Sequence, residues 1–356
     1  MREYSQIYVL VVLMTLFGLA VSSRGMAQQA VGSATNPAQT RAAFLQMLDR
    51  PRVPLAAEVN ALPGTEGLVY EHFTYAAEKT QRVPGILLKQ DVSASIRRPV
   101  VIVLHGTGGT KEGQLNLLKT LVGRGFMAVA IDGRYHGERQ TGTGAAQYVE
   151  AMLQTYRTGQ GRPFLYDTVW DVLRLIDYLE SRPDVDAARI GLMGFSKGGM
   201  ETYLAAAADS RIAVAVPMIG VQSFNWALDN QMWMSRVGTF QAAVDAAAKD
   251  GSIGKVDAAF IRTFYDRVAP GVYTRFDGPA MLPLIAPRPL LVINGDSDDR
   301  TPLPGLTACI TPTEQAYRNG GAADRLKLYL QKDTGHAVTP AALQAATDWL
   351  VKWLKP

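Results

Sequence analysis

From residue 100 onward the chain repeats one pattern, a short apolar run, a loop and a segment with helical spacing, and that alternation leaves few folds open. Val100-Val101-Ile102-Val103-Leu104 is continuous and β-branched, as a strand must be when both its faces are covered, and Leu115 to Val122 follows as a helix. Phe126 to Ile131, Ile190 to Met193, Ile212 to Val216, Leu290 to Ile293 and Leu326 to Leu330 supply further strands. Between them Val169, Val172, Leu173, Ile176 and Leu179, and then Met200 to Ala208, supply helices. Upstream, Thr40 to Leu48 predicts a short helix stopping before Pro51, while Leu68 to Ala77 and Arg82 to Lys89 read as strands. The expected class is therefore α/β, a mostly parallel sheet with helices on both faces over residues 67–356, preceded by an N-terminal extension at 28–66.

Roughly 70 residues separate the sixth expected strand from the seventh, far beyond the about 2–6 residues of an ordinary αβ loop. That stretch must hold helices of its own. Its aromatic residues, Phe224, Trp226, Trp233, Phe240, Phe260, Phe264, Tyr265, Tyr273 and Phe276, predict a helical cap at about 221–285, inserted between the sixth and seventh strands and favouring an apolar acyl or alcohol group.

Composition excludes several function classes. With 47% hydrophobic and 19% charged residues the chain can bury a large core, so disorder is excluded. The net charge of +4 comes from scattered residues with no run of five Lys or Arg, so no nucleic-acid partner is expected. One cysteine, Cys309, excludes an intrachain disulfide, a multi-cysteine zinc site and a CxxC pair. No cofactor or metal is implied. Arg2 precedes the apolar stretch Ile7 to Ala20, which is short of the about 20 residues of a spanning helix, and small residues follow up to Ala27. Residues 1–27 therefore predict a cleaved signal peptide, with an uncleaved anchor as the alternative; the mature protein would be secreted or periplasmic, without stable membrane association. Nothing in the sequence fixes the oligomeric state.

Gly194-Phe195-Ser196-Lys197-Gly198-Gly199 lies between an apolar strand and a small-residue helix, the context in which a G-x-S-x-G turn presents a serine above a parallel sheet. A serine needs a base to remove its proton. If the base follows the nucleophile in the chain, His336 is the one histidine that qualifies, since His72, His105 and His136 precede Ser196. The imidazole in turn needs a carboxylate partner. Asn294-Gly295-Asp296-Ser297-Asp298-Asp299 offers three; Asp298 is best placed on the turn after the strand, with Asp296 and Asp299 as alternatives that would otherwise cap the turn. The backbone N–H groups of Thr107, in His105-Gly106-Thr107-Gly108-Gly109, and of Lys197 are the expected oxyanion donors. His105 reads as structural, the Asp132–Arg139 charges as pins for their own loop, and the Lys197 side chain as a solvated helix lysine.

Together HGTGG at 105–109, IDGRYHGER at 131–139, GFSKGG at 194–199, APRPLLVINGDSD at 286–298 and TGH at 334–336 resemble the α/β-hydrolase superfamily, in particular its dienelactone-hydrolase-like and prolyl-oligopeptidase-like serine esterases. The likeness spans about Leu68 to Leu354. It implies cofactor-free cleavage of a small-molecule ester, with nucleophile Ser196, acid Asp298, base His336 and oxyanion donors Thr107 and Lys197. A peptidase or amidase using the same residues, or a catalytically silent binding protein, are the alternatives. Dienelactone hydrolases proper carry cysteine where this chain has Ser196, and acetyl-xylan esterases of similar fold carry glutamine and glutamate where it has Lys197 and Ala337.

Overall fold

The computed structural model describes residues 36–64, 67–92, 96–142 and 144–356. The expected signal peptide lies outside these residues. Nine strands form one sheet, β1 (Glu58–Leu62), β2 (Leu68–Glu78), β3 (Gln81–Gln90), β4 (Arg98–Leu104), β5 (Met127–Ile131), β6 (Val185–Phe195), β7 (Ile212–Met218), β8 (Leu290–Gly295) and β9 (Leu326–Gln331), in spatial order β1-β2-β3-β5-β4-β6-β7-β8-β9. The first three and β5 pair antiparallel; from β5 to β9 every pairing is parallel.

The helices are α1 (Pro37–Leu48), α2 (Leu115–Gly123), α3 (Ala146–Thr158), α4 (Tyr166–Glu180), α5 (Lys197–Ala208), α6 (Phe224–Asp229), α7 (Met234–Val237), α8 (Gln241–Asp250), α9 (Ala258–Val268), α10 (Gly278–Met281), α11 (Leu303–Asn319) and α12 (Pro340–Leu354). Alternate strand residues feed two cores. Val100, Ile102 and Leu104 pack with Val169, Leu173 and Leu204 of α4 and α5, whereas Val101 and Val103 pack with Leu118, Leu121, Trp349 and Leu350 of α2 and α12. Each such side chain contributes about 1.5–3 kcal/mol on burial, which is why the unbroken β-branched run could only be a central strand.

Two boundaries differ from expectation. Strand β1 carries no apolar signature because all five of its residues are exposed; backbone pairing with β2 alone makes it a strand. With it counted, the helical insertion lies between the seventh and eighth strands rather than the sixth and seventh. The compact unit also begins at Pro37, not at 67. Phe44 and Leu48 of α1 are buried in the core, and the Arg41 guanidinium donates to the carbonyls of Ala207 and Leu284 at 2.8 and 2.6 Å.

Residues 219–289 hold the five short helices α6 to α10. Their aromatic residues pack on one another and on α3 and the start of α4: Phe240 lies 5.1 Å from Phe164, Phe264 5.2 Å from Tyr156, and Tyr265 5.6 Å from Phe224, ring centre to ring centre. None of the nine aromatics singled out in the sequence lines the cavity above Ser196, so the apolar substrate site expected from them is not formed by them.

Candidate active site

Ser196 stands at the junction of β6 and α5 with φ +53° and ψ −112°, backbone that costs a non-glycine residue about 1–3 kcal/mol. The surroundings hold it there. Its N–H donates to the Met218 carbonyl of β7 at 2.9 Å, and its carbonyl accepts the first helical bond from the Met200 N–H at 3.0 Å. The turn closes so tightly that a Cβ on Gly194 would sit 2.4 Å from the Gly198 carbonyl oxygen. Because β4 and β6 run parallel with Leu104 opposite Gly194, the loop 105–109 leaves the sheet beside this turn.

On the other side, β8 and β9 pair with Gly295 opposite Gln331, so the loops that follow them emerge together. They cross at Gly295, where a Cβ would meet the Thr334 carbonyl oxygen at 2.1 Å. Asp298 and His336 are thereby brought face to face. His336 Nδ1 lies 2.8 and 3.0 Å from the two Asp298 carboxylate oxygens, and its Nε2 lies 2.8 Å from Ser196 Oγ. A carboxylate can only accept, so Nδ1 carries the proton and Nε2 is left to accept from the serine hydroxyl.

Of the three candidate carboxylates Asp298 alone faces the imidazole. It also accepts from the Thr301 hydroxyl at 2.6 Å and the Arg300 N–H at 2.9 Å. Burial pushes its carboxyl up, but the hydrogen bonds from His336 and Thr301 outweigh that and hold it below the usual range. Asp296 accepts instead from the N–H groups of Asp333 and Thr334, at 3.0 and 3.2 Å, and so fixes the loop that carries His336; Asp299 is exposed. Thr107, Ser196, Lys197, Met200, Arg236 and His336 all line one narrow cavity, together with Phe164, Ile219, Ser235, Thr239 and Arg300.

The Lys197 side chain corrects the expectation of a solvated lysine. It is 1% exposed, its Nζ is 2.6 Å from Glu201 Oε1, and it lies over the Tyr148 ring. Gly133 leaves room beside the ammonium, since a Cβ there would stand 3.2 Å from Nζ, and a carboxylate one turn on supplies the counter-charge. Burial pushes the Glu201 carboxyl above its ordinary range in spite of that partner. Only the backbone of Lys197 is therefore available at Ser196.

His105 is structural, as its sequence context suggests. Its Nδ1 donates to the Gly106 carbonyl at 2.8 Å and its Nε2 accepts from the Gly133 N–H at 3.0 Å. Asp132 accepts from the Lys111 N–H and Nζ and from the Glu138 N–H, which ties the loops after β4 and β5 to each other. Sequence reasoning missed Arg236, Thr301 and Glu201; no motif marks them, and only their depth in the fold brings them out. Among the described residues no group of three or more His, Cys, Asp or Glu side chains is arranged to hold a metal ion. No described helix is long and apolar enough to cross a membrane.

A family model described as "Glucuronyl esterase, fungi" matches residues 99–321, more than half of the chain, from the second residue of β4 to just beyond α11. The chain belongs to that glucuronyl esterase family. It is a carboxylic ester hydrolase on an α/β-hydrolase fold. This family member is 27% identical over 316 residues to the hydrolase YtaP of Bacillus subtilis (strain 168), covering 85% of this chain and 94% of the relative. It is 28% identical over 222 residues to the 4-O-methyl-glucuronoyl methylesterase of Hypocrea jecorina (strain QM6a), covering 58% of this chain and 46% of that protein. In fold it is similar to the acetyl xylan esterase from Paenibacillus sp. R4 (TM-score 0.62, 19% identity, 90% of this chain and 96% of that one). A glucuronoyl esterase from Solibacter usitatus is also similar (TM-score 0.57, 16% identity, 89% and 92%).

Proposed function

We propose that the protein is a secreted serine esterase that cleaves small carboxylic esters through an acyl-enzyme. The observation that carries this reading is the continuous hydrogen-bonded line from Ser196 Oγ through His336 to Asp298, each link 2.8 Å at its shortest. His336 Nε2 takes the hydroxyl proton as Ser196 Oγ attacks the ester carbonyl, and Asp298 stabilises the resulting imidazolium without itself taking the proton. The N–H groups of Thr107 and Lys197 receive the oxyanion. Collapse of the tetrahedral intermediate expels the alcohol, which takes its proton from His336; water then enters, is deprotonated by the same imidazole and releases the acid. Of the relatives' substrates, a uronoyl methyl ester carries its sugar on the acyl half and an acetyl ester carries it on the alcohol half. Either could be accommodated by this chemistry, which acts on the carbonyl alone. Export rests on the apolar Ile7 to Ala20 stretch and the small residues before Gln28.

Ser196→Ala should lower turnover of p-nitrophenyl acetate by at least roughly 10⁴-fold and abolish labelling by a fluorophosphonate, while the melting temperature changes by no more than a few degrees. Retained turnover or labelling in that variant would refute the reading.

A further inference from the structure

Three arginines are buried among the described residues, Arg134, Arg174 and Arg236. Two have carboxylates: Arg134 pairs with Asp171 and Glu78, and Arg174 with Asp177 at 2.5 Å. Arg236, on α7, has none within 4 Å among the described residues, although it is 7% exposed. It touches the Met200 sulfur, 3.8 Å from Nη1, and lies over the Phe224 ring, 5.8 Å from Cζ, while its Nε has no partner; the carboxylate that acts on it from farther off, Asp298, is already engaged by His336 and Thr301. The hydroxyl of the neighbouring Ser235 is likewise buried without one.

A guanidinium keeps its charge in proteins even where burial disfavours it, as here, and a soft sulfur and a ring face do not neutralise it. An unpaired buried charge is costly enough that such a group ordinarily has a counter-ion. The cavity supplies the place for one. Arg236 lines it together with Ser196 and His336, Ser235 and Thr239 add hydroxyl groups, Arg300 stands at its exposed side, and no Asp or Glu lines it. A buried, planar, fork-shaped guanidinium with hydroxyl donors beside it matches the planar geometry of a carboxylate, and the second guanidinium, Arg300, is solvated at the rim.

We propose that the esters cleaved at Ser196 carry a second, free carboxylate, and that the Arg236 guanidinium receives it within one small substrate's length of the scissile carbonyl. This rests on the esterase reading above and narrows its substrate class to half-esters of dicarboxylic acids or esters of hydroxy acids. The two differ in which half holds the anion. Monomethyl succinate places it on the acyl half and acetoxyacetate on the alcohol half. Methyl levulinate and acetoxyacetone are their neutral counterparts of matching shape.

Measured at about pH 7, where the free carboxylates are ionised, at least one anionic ester should exceed its neutral counterpart in kcat/KM by about 10- to 100-fold, the range for hydrogen bonds to a charged group. Arg236→Met should collapse that ratio to near unity, and Arg236→Lys, which keeps the charge but loses the fork, should leave it intermediate. A second arm needs neither turnover nor an altered Arg236: calorimetric titration of the Ser196→Ala protein with monomethyl succinate and acetoxyacetate should show binding of one that weakens with added salt, with the neutral counterpart weaker by a similar factor. Ser196-dependent turnover with no anionic preference, or equal binding of anionic and neutral esters, overturns the carboxylate site and leaves the esterase reading standing. Anion-selective binding without any ester turnover overturns the esterase reading and leaves the carboxylate site standing.

Discussion

Asp298 and its two neighbouring aspartates differ less in chemistry than in what reaches them. Its carboxylate is met by an imidazole N–H, a hydroxyl and backbone N–H groups, whereas Asp296, two residues earlier, is spent on the turn that presents His336. Asp298→Asn would put an amide opposite Nδ1 and favour the tautomer in which Nε2 carries the proton, so that the base can no longer accept from Ser196. A fall in kcat of roughly 10⁴-fold is expected with the fold intact, checked by steady-state kinetics beside circular dichroism. Lys197 makes the opposite point. A lysine after the nucleophile reads as surface, yet its ammonium is enclosed with Glu201. Glu201→Gln should leave that ammonium uncompensated and cost about 3–5 kcal/mol in a denaturation experiment, far more than a surface ion pair of about 0–1 kcal/mol.

Elements act here through register. The pairings of β4 with β6 and of β8 with β9 decide which loops meet, and a slip of one residue in either would carry its loop away from Ser196. At the opposite end of β6, the strand is anchored by Asp184, whose carboxylate receives the Arg182 guanidinium at 2.8 and 2.9 Å and Lys89 Nζ at 2.7 Å. Burial raises its pKa, but these two cations win and lower it to about 2. Being depressed below its unfolded value, it contributes stability above about pH 4 and loses it as pH falls through about 2. Asp184→Asn should therefore cost on the order of 2 kcal/mol in urea at neutral pH, with wild type and variant converging below about pH 2. Some elements were hidden from the sequence for local reasons. Helix α11 contains Gly305 and, in its interior, Pro312, signals that argue against a helix, and it is held by its buried face of Leu306, Cys309, Ile310, Thr313 and Tyr317.

At the scale of the whole molecule, two neutral histidines are buried within the loops that follow β4 and β5. Burial, reinforced by the Lys197 ammonium, lowers the pKa of His105 to about 3 and that of His136 to about 2. Unfolded, both would take a proton near pH 6.5, so between about pH 6.5 and 3 the unfolded chain holds up to two more protons than the native one. Stability should rise with pH over that window by at most about 2.7 kcal/mol per unit, and fall as acid is added. Urea unfolding at about pH 5 to 6, above the ordinary carboxylate range, would show it; replacing either histidine by glutamine should remove about half the slope, and an unchanged slope would refute the assignment.

The sequence by itself determined the layered sheet, because a β-branched run with no polar alternation has to be covered on both faces, and it singled out Ser196 and His336 as the proposed pair, because the glycine-flanked turn and, for a base that follows its nucleophile, the chain order leave no other. Those are local or one-dimensional constraints. Which aspartate faces the imidazole, that β1 exists, that α1 belongs to the core, that Lys197 is buried and that Arg236 lies unpaired above the serine were decided only in three dimensions. Each depends on groups distant in the chain, such as Asp298 and His336 or α7 and β6, whose approach is set by packing and strand register rather than by anything written beside them in the sequence.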